Sequence, residues 1–221
     1  MSISPKTALL EEFALVARAL SAPARLSILE QLAQGERGVE ALSEKTGLTL
    51  ANCSQHLQQL RRAGLVTSRR DGKAVIYRLS DAKTLELMDL LRIVAERNLA
   101  QVERILRGLS GGENLPEPVS RADLAARLAE GSVTVLDVRP ADEYAAGHIP
   151  GALNATVTDL DQVLTTLAVD GEVVAYCRGP YCVYAHQAVA ALRRHGLNAR
   201  RLEGGLPEWR EEGRPVVSGE R

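Results

Sequence analysis

Val173-Val174-Ala175-Tyr176, then Cys177-Arg178-Gly179-Pro180-Tyr181-Cys182, then Val183 to His195, is the stretch that decides the fold of the second half of this chain. The first four residues are an apolar run short enough for a buried strand. The next six place a thiol directly after that strand, with turn-prone Gly and Pro behind it. Val183 to His195 has helical spacing. Strand, Cys-containing loop and helix in this order aim backbone N–H groups and a helix N-terminus at one sulfur, which lowers a thiol pKa and cradles an anion. Outward from this stretch the same alternation continues. Arg121 to Ala129 reads as a helix, Val133 to Val138 as a strand and Asp142 to Gly147 as a short helix. Asp159 to Leu167 reads as another helix, and Ala199 to Leu202 as a last strand before Gly204-Gly205. Strands alternating with helices predict an α/β domain with a parallel sheet covered on both faces.

The first half reads differently. Residues 7–20 carry Leu10, Phe13, Ala14, Ala17 and Leu20 on one helical stripe. Ser21 and Pro23 read as the cap and first turn of a second helix, from about Ala24 to Leu32. Val39 to Thr46 is a short helix stopped at Gly47, and Leu50 to Ala63 is another, stopped at Gly64. Leu65 to Arg70, Asp71-Gly72, and Lys73 to Leu79 read as a strand, a turn and a strand. A long helix follows, from about Thr84 to Leu106. Residues 108–118 are the only Gly/Pro-rich stretch of any length. They divide the chain into a domain at 1–107, a linker at 108–117 and a domain at 118–221.

With 221 residues, two domains of about 100 residues each are expected. Aromatics make up only 3%, so the cores rest on Leu, Val, Ile and Ala. The net charge of −1 hides an asymmetry. Residues 1–110 hold 16 Lys/Arg against 12 Asp/Glu, and residues 111–221 hold 11 against 16. A basic half and an acidic half predict different partners. No signal sequence and no run of roughly 20 apolar residues is present, so no membrane association is expected. Three Cys without zinc-type spacing predict a reducing, cytoplasmic setting in which thiols serve chemistry. No cofactor and no metal are expected.

The two helices around Gly47 have helix-turn-helix spacing. The second presents Thr49, Asn52, Ser54, Gln55, Gln58 and Gln59, then Arg61 and Arg62. Amides and hydroxyls of this kind bond base edges, and Arg neutralises phosphate. The hairpin adds Arg69, Arg70, Lys73 and Arg78, so that residues 61–78 hold six basic residues against one acid, Asp71. A helix for the groove and a cationic wing for the backbone make a winged helix-turn-helix that takes DNA as partner. His56 reads as a surface or packing residue rather than a base contact. Cys53 reads as a small packing residue, with a redox switch as the sharper alternative.

Three segments here, 20–29, 52–66 and 70–79, resemble the ArsR-type winged-helix repressors over about residues 8–107. The resemblance implies a homodimer through the first and last helices, binding to an inverted repeat in promoter DNA, and release by an inducer. Many members sense metal through a Cys-x-Cys pair or through Asp and His on the last helix. This chain has only Cys53 near its reading helices and neither His nor Cys on the last one, which argues against metal sensing.

The segments 135–154, 176–182 and 202–209 resemble the rhodanese (sulfurtransferase) domain, over about residues 117–217. That resemblance puts the sulfur-carrying Cys at Cys177, with Arg178, Gly179, Pro180, Tyr181 and Val183 forming the substrate loop. Asp137 and Arg139 match the family's Asp-x-Arg strand end, His148 and Gly151 its His-x-x-Gly-Ala loop. Asp137 and Arg139 are counted with Cys177, Arg178 and Cys182 in the catalytic set, although such a pair more often serves structure than chemistry, and His148 reads as a turn-stabilising residue. The implied donor is thiosulfate or a persulfide, and Arg178 is placed to hold its charge. The sixth loop position departs from the family pattern: Cys182 stands where many active members carry a basic or hydroxyl residue. Cys182 either resolves a Cys177 persulfide or packs at the helix start. Three functions are open at this level. The chain is a regulator that senses reactive sulfur, a sulfurtransferase that regulates its own operon, or a regulator with an inactive effector-binding module.

Overall fold

The computed structural model describes residues 4–112, 114–160, 171–179 and 182–219. The chain divides into two compact units, Met1–Glu86 and Leu87–Arg221.

In the first unit, α1 (Pro5–Leu20) starts where the Ser4 hydroxyl accepts from the Thr7 N–H. Ser21 closes α1 by donating its hydroxyl to the Arg18 carbonyl, and Ala22 is the N-cap of α2 (Pro23–Ala33). The cap expected at Ser21 therefore belongs to the preceding helix, and Pro23 alone sets the start of α2. Helices α3 (Val39–Thr46) and α4 (Leu50–Arg62) flank the turn at Gly47, whose φ of 70° ends α3 in the left-handed region that glycine tolerates. Ile28, Leu29, Leu32, Leu42, Leu57 and Leu60 are buried, and α2, α3 and α4 pack on one another.

A three-stranded antiparallel sheet completes this unit in the order β1-β3-β2, with β1 at Arg37–Gly38, β2 at Val66–Asp71 and β3 at Ala74–Leu79. Asp71 pairs with Ala74, so the loop is Gly72-Lys73 rather than Asp71-Gly72. Gly72 alone has a positive φ there, 60°, the position a type II′ turn reserves for glycine.

Two helices, α5 (Ala82–Asn98) and α6 (Ala100–Leu109), replace the single helix expected at 84–106. The break is Leu99, in extended backbone with φ −113° and ψ 98°. Beyond it, α7 (Arg121–Glu130), α8 (Ala141–Ala146), α9 (Tyr184–Arg194) and α10 (Leu206–Glu211) surround a four-stranded sheet. Its strands are β4 (Val133–Asp137), β5 (Leu153–Asn154), β6 (Glu172–Tyr176) and β7 (Asn198–Arg201), in the order β5-β4-β6-β7. Every pairing is parallel. The helix expected at 159–167 falls mostly outside the described residues.

The strands bury both faces, with the period of two that a pleated strand imposes. Leu136, Val173 and Ala175 face a core shared with Ala188, Val189 and Leu192 of α9. Val135, Val174 and Tyr176 face the opposite core, with Leu124 of α7, Tyr144 of α8 and Trp209 of α10. The α/β architecture with a parallel central sheet, preceded by a mainly helical winged unit, is as the sequence predicts. Residues 108–117 and α6 lie within the second unit, where α6 packs against α9.

Candidate functional site

Strands β4 and β6 run parallel and end side by side at Asp137 and Tyr176. Cys177 is the next residue, at the carboxyl edge of the sheet, where open α/β sheets gather their ligands. Its side chain is 1% exposed, and that of Cys182 is 7% exposed. The two are joined as a disulfide, with Cα atoms 6.2 Å apart. Pro180 and Tyr181 lie outside the described residues.

The loop is held from beneath by backbone. The Leu206 N–H donates to the Cys177 carbonyl at 3.3 Å, and the Cys182 N–H to the Gly179 carbonyl at 3.1 Å. The second of these N–H groups is therefore turned to the loop itself rather than to a sulfur. Gly205 fits only as glycine: a Cβ there would stand 2.5 Å from both the Cys177 carbonyl oxygen and the Gly179 nitrogen. Glu208, three residues on, accepts the Gly205 N–H on Oε2 at 2.8 Å. Its Oε1 is buried and has no hydrogen-bond partner among the described residues. A Cβ at Gly179 would meet that carboxylate at 3.3 Å, so Glu208 lies directly against the loop. Burial holds its pKa above the usual carboxylate range. Glu208 has no assigned role in the sequence reading. Its signal is its N3 position in α10, from which a carboxylate reaches back to the N–H of the N-cap Gly205.

Arg178 does not point to open solvent as a waiting anion clamp. Its Nε lies 2.9 Å from the buried Glu143 carboxylate, and its guanidinium lies over the Tyr184 ring. Val183 is the N-cap of α9 and gives no side-chain cap. Asp137 and Arg139 form a sealed ion pair at 2.6 Å. The Tyr176 hydroxyl donates to Asp137 at 2.6 Å and accepts the Ile149 N–H, and Arg139 donates to the Gly147 carbonyl. Burial first, and then the Asp137 charge, push the Tyr176 pKa well up. These two residues are thus a brace that ties the strand ends to the 147–149 loop. His148 stacks on Tyr144 and bonds the Tyr144 carbonyl through Nδ1, which suits a turn-stabilising role.

On α4, Cys53, Leu57 and Leu60 form the buried stripe. Asn52, Gln55, Gln58, Arg61 and Arg62 are exposed, and Ser54 is half-buried. The Thr49 hydroxyl caps α4 by accepting the Asn52 N–H. Gln59 is exposed, and its side-chain oxygen accepts from Arg25 at 2.6 Å. Cys53 is fully buried, and desolvation raises its pKa. That makes it a core residue and runs against a redox role. On the wing, Arg69 is paired with Glu36 and Asp71, and Arg78 lies 3.8 Å from Glu36. Arg70 and Lys73 stand exposed near the tip.

Residues 20–69 match a helix-turn-helix domain, and residues 120–212 match a rhodanese-like domain. The HTH-type transcriptional regulator Rv0324 of Mycobacterium tuberculosis is 44% identical over 214 residues, 97% of this chain and 94% of that one. The chain belongs to this family: an ArsR-type helix-turn-helix transcriptional regulator with a rhodanese-like domain. The regulator is also similar to two solved structures. The homodimeric winged helix-turn-helix DNA-binding domain Mb0332 of Mycobacterium bovis is 41% identical, with TM-score 0.41, over 45% of this chain and 92% of that one. A rhodanese-related protein from Thermoplasma volcanium is 32% identical, with TM-score 0.42, over 46% of this chain and 98% of that one. Among the described residues of the regulator no helix is long and apolar enough to cross a membrane.

Proposed function

We propose that the regulator is a cytoplasmic, homodimeric repressor that reads an inverted repeat in promoter DNA through residues 1–107, and that residues 118–221 couple this reading to sulfane sulfur. The observation that carries the proposal is the pairing of Cys177 with Cys182 across one loop. The Cys177 thiolate attacks the outer sulfur of thiosulfate, forming a persulfide and releasing sulfite. The Cys182 thiol then attacks the Cys177 sulfur, and the outer sulfur leaves as hydrosulfide. The sulfane sulfur is reduced, the two thiols are oxidised to the disulfide, and a cellular dithiol reductant resets the loop.

Burial of both sulfurs and the engagement of Arg178 by Glu143 favour a sensor that reacts once per reduction over a sulfurtransferase with sustained turnover. The exposed amides of α4, with Arg61, Arg62, Arg70 and Lys73, support the DNA role. Exposed Leu9, Leu10 and Phe13 on α1, and Leu90, Leu91 and Val94 on α5, support dimerisation.

The test treats reduced protein with thiosulfate and follows mass, released sulfide and operator anisotropy together. Wild type should lose two hydrogens and release one sulfide per chain. Cys182→Ser should stop one sulfur atom heavier, and Cys177→Ser should not react. Operator affinity that is the same in treated and untreated protein, for wild type and Cys177→Ser alike, would sink the coupling.

A further inference from the structure

Within the second unit, α6, residues 114–118, α9 and β7 enclose a cavity of about 200 Å³, bordered by Arg107, Ser110, Asn114, Glu117, His186 and Arg201. A neighbouring hollow of about 330 Å³ shares Glu117 and Arg201 with it. Arg201 is the residue that sets them apart from ordinary surface dimples. In the same unit Arg92, Arg127, Arg139 and Arg178 each hold a carboxylate. Among the described residues the Arg201 guanidinium has no hydrogen bond and no ion pair, and burial depresses its pKa. The nearby carboxylates do not neutralise it by contact. Glu103 is paired with Arg107, and Glu96 with Arg92. Glu117 and Glu203 are exposed to water. A half-buried cation without a contacting partner is costly, and that cost is recovered when an anion enters.

We infer that this cavity is a binding site for a small oxyanion, anchored by the Arg201 guanidinium with the Asn114 amide as a flanking donor. A planar fork matches two oxygens of a sulfate-type anion or of a carboxylate. The volume is below the roughly 300–1,000 Å³ of clefts that take drug-sized ligands, which limits the guest to a small ion. His186 stands at the same wall, and among the described residues its buried Nδ1 has no hydrogen-bond partner. It is the natural reporter of occupancy.

Histidine-ring NMR of the reduced full-length chain, which holds four His, provides the test. The His186 signal is assigned by His186→Gln. Titration with sulfate, which does not react with thiols, and separately with acetate, distinguishes a sulfur oxyanion from a carboxylate. A saturable shift of the His186 signal with either one is expected. It should persist in Cys177→Ser and weaken by about ten- to a hundredfold in Arg201→Gln. Should that variant fail to fold, Arg201→Lys keeps the charge without the fork and should weaken binding by about tenfold. A shift that never saturates, one shared equally by all four histidines, or equal affinity in the Arg201 variant overturns the site.

Discussion

Gly205 shows how little space the Cys loop leaves. A methyl group on its Cα would strike three backbone atoms of that loop, the Cys177 carbonyl oxygen and the Gly179 nitrogen and Cα. Gly205→Ala should destabilise the chain by roughly 1–3 kcal/mol, the usual cost of overpacking. A thermal melt checks this, and closure of the Cys177–Cys182 ring should slow in the same variant, read by mass after an oxidant pulse. His186 gives a pH prediction. Burial first, and then the Arg201 charge, push its pKa down to about 4. The unfolded chain takes up a proton near pH 6.5, whereas the folded one does so only near 4. Stability from this group is therefore complete above pH 6.5 and is lost as pH falls toward 4, by at most about 3 kcal/mol. Glu208 works in the opposite sense, because its raised pKa makes the folded state bind a proton first. The difference between wild-type and His186→Gln denaturation curves isolates the histidine. A difference that does not change between pH 7 and 4.5 would contradict its burial as a neutral ring.

At the scale of elements, the wing carries its own ion pairs. Arg69 is shared between Glu36 and Asp71, while Arg70 and Lys73 are exposed and outside that network. Arg70→Ala and Lys73→Ala should each lower the salt slope of operator binding by about 1, whatever the operator sequence. Fluorescence anisotropy across a salt series measures it. Helix-turn-helix spacing, the hairpin and the strand–loop–helix at Cys177 were legible because local periodicity and glycine placement specify them. Strands β1 and β5 were not, since two residues each carry no period. The break at Leu99 follows Asn98 and carries no Pro or Gly to announce it. At the site, the position of the two thiols was legible from spacing alone. The partnership of Arg178 with Glu143, and the seat of Glu208 against Gly179, were not. Each joins residues about 30 or more apart in the chain, and only the folded sheet brings them together.

At the scale of the whole molecule, α1 and α5 leave large apolar side chains uncovered within one chain. Phe13 and Leu90 are each 58% exposed. A homodimer covers such faces, and Val94→Glu should shift the chain toward monomer in light scattering and weaken operator binding at the same protein concentration. A variant that stays fully dimeric would remove α5 from the interface.

The boundary between Glu86 and Leu87 bears on how this architecture can be cut and recombined. A fragment trimmed to the rhodanese-like match at residue 120 would strip α6 from α9 and leave His186 and Arg201 in bulk water. The portable module is longer than the motif that identifies it. A gene fusion or an expression fragment that keeps the second unit whole begins near Leu87, so that the rhodanese-like domain travels with α6 and most of α5.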